Sequence, residues 1–421
     1  MGTMKRFRTV LAGTAALAFA VAGTTACGND DAESGPVTLR YSWWGNADRA
    51  DLMQQAIAVF ESKNPDIKVT PSFQEYEAYW QKMATETAGG NAPDVLQMDF
   101  SYLREYADRG VLLDLKEESD LKLDDLLTGF QGVGEVDGKL YGVPLGGNTW
   151  SMFYDPARFA EAGVAEPAVG WTWNDYRAAL KKITDATDVY GGGNYTGIIY
   201  NLEVQLRQQG GALFTEDGKL GFTKEQLTTF WNDGVQLIDQ DVVLPVEKAV
   251  QIKPASLWVD GLAASELGWD NFLVRYAGET DTEIKLGPVP SDNPGQLGQY
   301  LKPAMLLSAS EGTDHPAAAA KLISFMINDP EAGKIFGGNR GLPATNAQRA
   351  AAQLEGPLAA VAAYEETIAE QLTKAPPAPP KGAGTIEAAF IRISEELHYK
   401  RISVREAVDQ FFTEAEETLQ S

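Results

Sequence analysis

The sequence predicts an α/β protein built on mostly parallel sheets, and three observations carry that expectation. From Val37 to Arg109, segments with the two-residue period of strands alternate with segments of helical period. A second stretch of the same kind follows an extended, glycine-broken run at 140–154. The chain, at 421 residues with 44% hydrophobic and 10% aromatic content, is long enough for two cores at about 100 to 200 residues per domain.

The first strand is read from Val37, Leu39, Tyr41 and Trp43 alternating with Thr38, Arg40 and Ser42. After Gly45, Leu52, Ala56, Val59 and Phe60 fall on one helical face, which ends before Asn64-Pro65. Ile67, Val69 and Phe73 mark a second strand, and Tyr76, Tyr79, Trp80 and Met83 a second helix reaching Gly89-Gly90. Asp94 to Met98 is a short third strand, followed by a helix from Tyr102 to Arg109 with Gly110 in the terminating position. In the second stretch, Thr172 with Asp175 and Thr223 with Gln226 are capping boxes, and Phe222 is placed to staple onto Leu227. The helix after Thr223 is expected to bury Leu227, Phe230, Trp231, Leu237 and Ile238, and Trp171 and Trp173 also read as packing residues. Between the units, Gly146-Gly147 would let the chain bend. Lys374 to Lys381 is a stiff proline-rich connector, and no internal repeat is visible.

Residues 1–26 have the three regions of a secretory signal peptide: Lys5, Arg6 and Arg8, an apolar run from Val10 to Ala22, and a small-residue close at Thr24-Thr25-Ala26. The run is too short to span a bilayer, which takes about 20 apolar residues. Cys27 is the single cysteine, so no disulfide can form within the chain, and a polar tether at 27–35 follows. The run resembles a bacterial lipobox, in which the cysteine receives a diacylglyceryl group and becomes the mature N-terminus. Thr24 departs from that pattern, which usually has Leu three residues before the cysteine. An ordinary signal peptide with an incidental cysteine is the alternative. A lipidated Cys27 would hold the protein on the outer face of the cell membrane. The formal charge of −24 becomes more negative once the basic leader is removed, and such a body repels nucleic acid. The acidity itself reads as a solvated surface.

Several collinear motifs cover nearly all of the expected mature chain: "SWWGNADR", "GGNAPDVLQMD", "DGKLYGVP", "MFYDPARFAEAGV", "WTWNDY", "HPAAAAKLISFMINDPEAG" and "NRGLPA". Each alone is weak, but their order resembles the large sugar-binding family that includes maltose-binding proteins. The resemblance implies a two-lobe periplasmic-binding-protein-like fold, each lobe a mostly parallel sheet flanked by helices, with a hinge between. By that analogy one lobe takes 36–146 and 292–335, and the other 147–291 and 336–421. The implied function is capture of a sugar or oligosaccharide in the interlobe cleft and delivery to an ABC importer permease, by a monomer without cofactor.

In open α/β sheets ligands bind beyond the carboxyl ends of strands. Trp43, Trp44, Asn46 and Arg49 lie at one such end, and Gln97, Asp99 and Tyr102 at another. A sugar ring needs aromatic plates for its C–H face and polar side chains for its hydroxyl rim, and this cluster offers both. Trp43 continues the strand alternation and equally suits the core. Trp44 breaks it beside Gly45 and is the better plate. Arg49 could instead pair with Asp48 or Asp51, and Asp99 could be a helix N-cap. Across the proposed cleft stand Asn148 and Trp150 in the crossing run, Trp258, and Trp269 with Asp270, the last two by the family's pattern of a strand whose following loop faces the ligand. Tyr300, Lys302 and Arg340 border the later crossings.

A secreted glycoside hydrolase is the chief rival, with Asp99, Asp260, Glu266 and Asp270 as candidate acids that would have to stand about 5 Å or about 6.5 to 9.5 Å apart. The two histidines, His315 and His398, lack ligand spacing to one another, so neither a metal site nor a catalytic triad is expected. A two-lobe binder of iron or polyamine would use tyrosines or an acid cage. Tryptophan, amide and arginine in the candidate loops favour hydroxylated rings.

Overall fold

The structure, a computed structural model, describes residues 36–253 and 255–420. The expected signal segment and the whole tether at 27–35, Cys27 included, lie outside the described residues.

The strands are β1 Val37–Trp44, β2 Ile67–Gln74, β3 Val95–Met98, β4 Val143–Asn148, β5 Trp150–Tyr154, β6 Ser265–Trp269, β7 Lys285–Gly287, β8 Lys302–Ala309 and β9 Leu342–Pro343, besides a small hairpin at 135–140. The six-stranded sheet runs β9–β4–β8–β3–β1–β2. Its β2–β1–β3 part is parallel, as strand and helix alternation requires when helices carry the crossovers. β8, β4 and β9 return antiparallel, so the sheet is mixed.

Helices α1 Ala47–Lys63, α2 Tyr76–Ala88 and α3 Phe100–Asp108 join the parallel strands. Asn46 caps α1 by accepting from the Arg49 amide, and Asp99 caps α3 by accepting from the Ser101 amide. Past α3, Gly110 takes the left-handed φ of 67° that its position predicted. β1 runs one residue further than its alternation suggested. From Tyr41 to Trp44 every side chain is buried, because the end of a central strand is covered on both faces.

The bend expected at Gly146-Gly147 is not there. Both glycines sit inside β4, and the strand break falls at Thr149. The glycines serve close approach: a Cβ on Gly146 would meet the Leu342 carbonyl at 2.6 Å, and one on Gly147 the Phe130 ring at 2.4 Å.

The second sheet is β6–β5–β7, antiparallel about β5 rather than mostly parallel as expected, with the parallel contacts Tyr190–Ala263 and Gly192–Val243 only as isolated bridges outside its strands. Around it pack α4 Trp173–Ala186, α5 Ile199–Gln208 and α6 Lys224–Asp239. Further on come α7 Pro316–Asn328, α8 Gly356–Ile368, α9 Ala383–His398 and α10 Val404–Leu419. Both predicted capping boxes form, at Thr172/Asp175 and Thr223/Gln226, and Phe222 and Leu227 share one core. Leu227, Phe230, Trp231 and Leu237 are buried, while Ile238 is only partly so.

One core spans Leu39 to Leu145, Tyr300 to Phe336, and Ala344, with Ala375 and Ala378 added from the proline-rich segment. A second joins Trp150 to Leu297 with Tyr364 to Ala415, and a smaller third includes Phe153, Trp258, Tyr276 and Leu342. β9 thus pairs in the first sheet although its Leu342 side chain packs in the third cluster.

Candidate functional site

The crossing from β4 to β5 joins the two sheets at Thr149. Thr149 is fully buried there and donates its hydroxyl to the Tyr300 carbonyl at 2.9 Å. Gln299 donates its amide to the Trp150 carbonyl and, at 2.7 Å, to the Tyr364 hydroxyl. These bonds bring the later crossing at 299–302 beside the first. They set Trp269, Tyr300 and Lys302 at a common point.

A cavity of about 400 Å³ opens there between the cores. Asp99 and Phe100 at the start of α3 form one wall, and Tyr200, Glu203, Trp269 and Glu387 the other. A contiguous space of about 270 Å³ shares Asp99, Phe100, Trp269 and Lys302 and adds Asn148. Trp269 packs against both the first and the second core. Its ring meets Trp150 edge-on at 4.8 Å and Tyr200 at 5.1 Å. Lys302 extends between the rings of Tyr200 and Trp269, its Nζ 4.8 and 4.9 Å from their centroids.

The polar groups of the walls are tied in short chains. Lys302 Nζ donates to the Tyr200 hydroxyl at 3.3 Å, and that hydroxyl donates to Glu387 at 3.0 Å. The Tyr300 hydroxyl donates to Glu203 at 2.9 Å. Burial raises the Glu203 carboxyl above its ordinary range, against the opposing pull of Arg207, the Tyr300 hydrogen bond and Lys302. Asp99 accepts from Ser101 and from the Tyr76 hydroxyl. Pro376, Pro377, Ala378 and Pro379 line the cavity. Arg104 of α3 donates to the Ala378 carbonyl at 3.3 Å, and Arg207 of α5 donates to the Lys374 carbonyl at 2.7 Å. The connector is therefore held by helices of both cores, and its prolines need no amide partner.

Of the sequence-predicted residues, Asp99, Asn148, Trp269, Tyr300 and Lys302 meet at these cavities. The others stand elsewhere. Trp43 is wholly buried beneath the sheet end against Tyr41 and Phe73. Trp44, 8% exposed, packs into an aromatic cluster with Tyr76, Tyr79 and Trp80, and Tyr102 stacks on Trp80 at 4.2 Å. Gln97 is buried in the central strand. Asn46 is committed to its cap, and Arg49 donates to Asn339 rather than to Asp48 or Asp51. Trp150 is buried with its indole N–H on Asn201 at 2.7 Å, and Trp258 lies in the third core. Asp270 is buried behind Trp269 and accepts from the Thr149 amide. Arg340, 3% exposed, lies over the Phe336 ring, and burial draws its guanidinium down to about 9.

Sequence reading missed Phe100, Tyr200, Glu203 and Glu387. Phe100 is hidden because the third helix begins earlier than Tyr102. Tyr200 and Glu203 sit on α5, whose Leu202, Val204 and Leu206 are buried along with Asn201 and Glu203, so no polar face betrays it. The proline run was legible, but nothing local says that it faces a cavity. Among the described residues no three His, Cys, Asp or Glu side chains group to hold a metal, and no helix is long and apolar enough to cross a membrane.

Comparison with known proteins gives these findings. Residues 46–333 match the family of bacterial extracellular solute-binding proteins. A solved extracellular solute-binding protein of family 1 from Alicyclobacillus acidocaldarius subsp. acidocaldarius DSM 446 is 30% identical, with a TM-score of 0.80 and coverage of 92% of this chain and 100% of that one. An uncharacterized lipoprotein of Streptomyces antibioticus is 26% identical over 341 residues, 75% of this chain and 72% of its own. The maltodextrin-binding protein of Bacillus subtilis (strain 168) is 24% identical over 314 residues, 69% of each chain.

Proposed function

The chain belongs to the bacterial extracellular solute-binding proteins, and on that footing we propose that it captures a sugar or oligosaccharide between its lobes and delivers it to an ABC importer permease. The observation that carries the reading is the cavity at Trp269, where an indole touching both cores stands among phenol, carboxylate and ammonium groups. An aromatic plate matches the C–H face of a pyranose, and the polar groups match its hydroxyls. A relative that binds maltodextrin supports the same ligand class.

In this reading Trp269 is the plate, and Asp99, Asn148, Tyr200, Tyr300, Lys302 and Glu387 hold the rim. Trp150 backs Trp269 edge-on, while Trp43, Trp258, Gln97 and Arg340 are buried away from the cavity and do not touch ligand. The cores support lobe bounds shifted from those the resemblance implied, 36–148 with 300–344 in place of 36–146 with 292–335, and 150–297 with 356–420, apart from the connector at 375–378, in place of 147–291 with 336–421. The protein binds and does not turn over its ligand, a reading that its membership of a solute-binding family supports. It acts as a monomer, held outside the cell membrane through a lipidated Cys27. A relative described as a lipoprotein supports that anchor.

A thermal-shift screen against maltodextrins and galactooligosaccharides, followed by chromatography of the incubated sugars, tests the proposal. A raised melting temperature with unchanged sugars is expected. No shift with any saccharide overturns the ligand class, and shortened sugars move the protein to the glycoside hydrolases.

A further inference from the structure

We infer that the cleft selects against acidic saccharides and takes a neutral or amine-bearing sugar; this rests on the saccharide reading above and names the ligand's charge. Three carboxylates line the cavity, Asp99, Glu203 and Glu387, against one cation, Lys302. The other cations that might receive a uronate are turned away. Arg49 is spent on the side chain and carbonyl of Asn339, and Arg340 is buried over Phe336. Arg207 lies behind the Tyr300 ring, 4.7 Å from its centroid, and donates to Gly298, Thr373 and Lys374.

Lys302 itself is partly satisfied. Its Nζ donates to the Tyr200 hydroxyl and faces two aromatic rings, so its charge is already met by π-density and a phenol that passes the bond on to Glu387. The carboxylates, by contrast, keep acceptor capacity. Tyr200 occupies only Oε2 of Glu387, and Tyr300 only Oε2 of Glu203. Those oxygens suit O–H or N–H donors of a ligand, whereas the carboxylate of an ionised sugar acid is acceptor-only and would face them as a like charge. The three carboxylates line one cavity together with Tyr200. The Tyr200 phenol is pushed far up, first by burial and then by Glu387 and Glu203, with Asp99 contributing as well. Inside a partly desolvated cleft, like charges facing one another are strongly unfavourable, and this is how a binding site rejects the wrong ligand.

The test is titration calorimetry on the full chain with matched sugars: maltotriose and galactobiose, the C6-oxidised counterpart of maltotriose, and digalacturonic acid. At low ionic strength the neutral member of whichever pair binds should bind at least about tenfold more tightly than its acidic counterpart. Added salt should narrow the gap, because screening weakens the repulsion. Glu387→Gln should narrow it too, and since the ratio is taken within one protein, a general loss of affinity does not obscure it. An acidic sugar binding as tightly as its neutral counterpart overturns this inference and leaves the saccharide reading standing. Failure of every saccharide, neutral and acidic, overturns the saccharide reading and this inference with it.

Discussion

Thr149 and Asp270 form a two-bond clasp at the crossing between the sheets: the Thr149 amide donates to the Asp270 carboxyl at 3.0 Å, and the Asp270 amide returns a bond to the Thr149 carbonyl at 2.9 Å. The Asp270 carboxyl is fully buried and faces Glu365, which Arg349 contacts at 2.6 Å. Burial, and then the charge of Glu365, raises the Asp270 carboxyl well above its usual range, and burial raises Glu365 too despite Arg349. The pair therefore keeps a proton to higher pH than the same two groups would in the unfolded chain.

A raised carboxyl stabilises the fold below its unfolded value and loses that contribution as pH climbs through the folded one. Asp270→Asn keeps an acceptor for the Thr149 amide and removes the ionisation. In denaturant melts from about pH 4 to about pH 9, the variant should lose less stability toward alkaline pH than the wild type. Parallel pH profiles would mean that Asp270 is ionised throughout.

Trp269→Ala should weaken sugar binding by about 1 to 3 kcal/mol, or several-fold to about a hundredfold, through lost apolar burial and ring contact. Trp44→Ala should act in the opposite sense. Trp44 lies in the aromatic cluster of Tyr76, Tyr79 and Trp80 and does not line the cavity, so its loss should cost about 3 to 5 kcal/mol of stability, as for a core tryptophan, with little change in affinity. Calorimetry and denaturant melts on both variants separate the two roles, and a binding defect confined to Trp44→Ala would reverse the assignment.

His398 is buried beside Thr196, its Nε2 3.1 Å from the threonine hydroxyl, and burial lowers it from 6.5 to about 4. The folded state therefore keeps it neutral where the unfolded chain would protonate it. Its contribution is present above the unfolded value and is lost as pH falls toward about 4, a swing of about 3 kcal/mol for this shift. His398→Gln should flatten the acid limb of a stability profile between those values. An unchanged acid limb would show that His398 is protonated in the fold.

Cys27→Ala should release the protein from the membrane fraction into the soluble one, because the proposed anchor depends on that thiol. Equal membrane retention of variant and wild type, after cell fractionation and blotting, would remove Cys27 as the attachment point.

Local chemistry made much of the fold legible from the sequence. The alternation in β1, the caps at Thr172 and Thr223, and Gly110 closing α3 are each set by residues within a few positions of one another, so their signals survive without the rest of the chain. Trp269, placed by the family's pattern at a strand whose following loop faces the ligand, is the last residue of β6. Tertiary structure alone decided which aromatic faces the cleft. Trp43, Trp44 and Trp269 all sit at ends of strands, but β1 is a central strand covered on both faces, and α2 brings Tyr76, Tyr79 and Trp80 over Trp44. Trp269 ends an edge strand between two cores and stays partly exposed at the cavity. Burial depends on neighbours distant in sequence, as does the convergence of Glu203, Glu387 and Asp99 on one cavity. Whether a side chain is core or binding surface is a property of what packs against it, and the local sequence does not encode that.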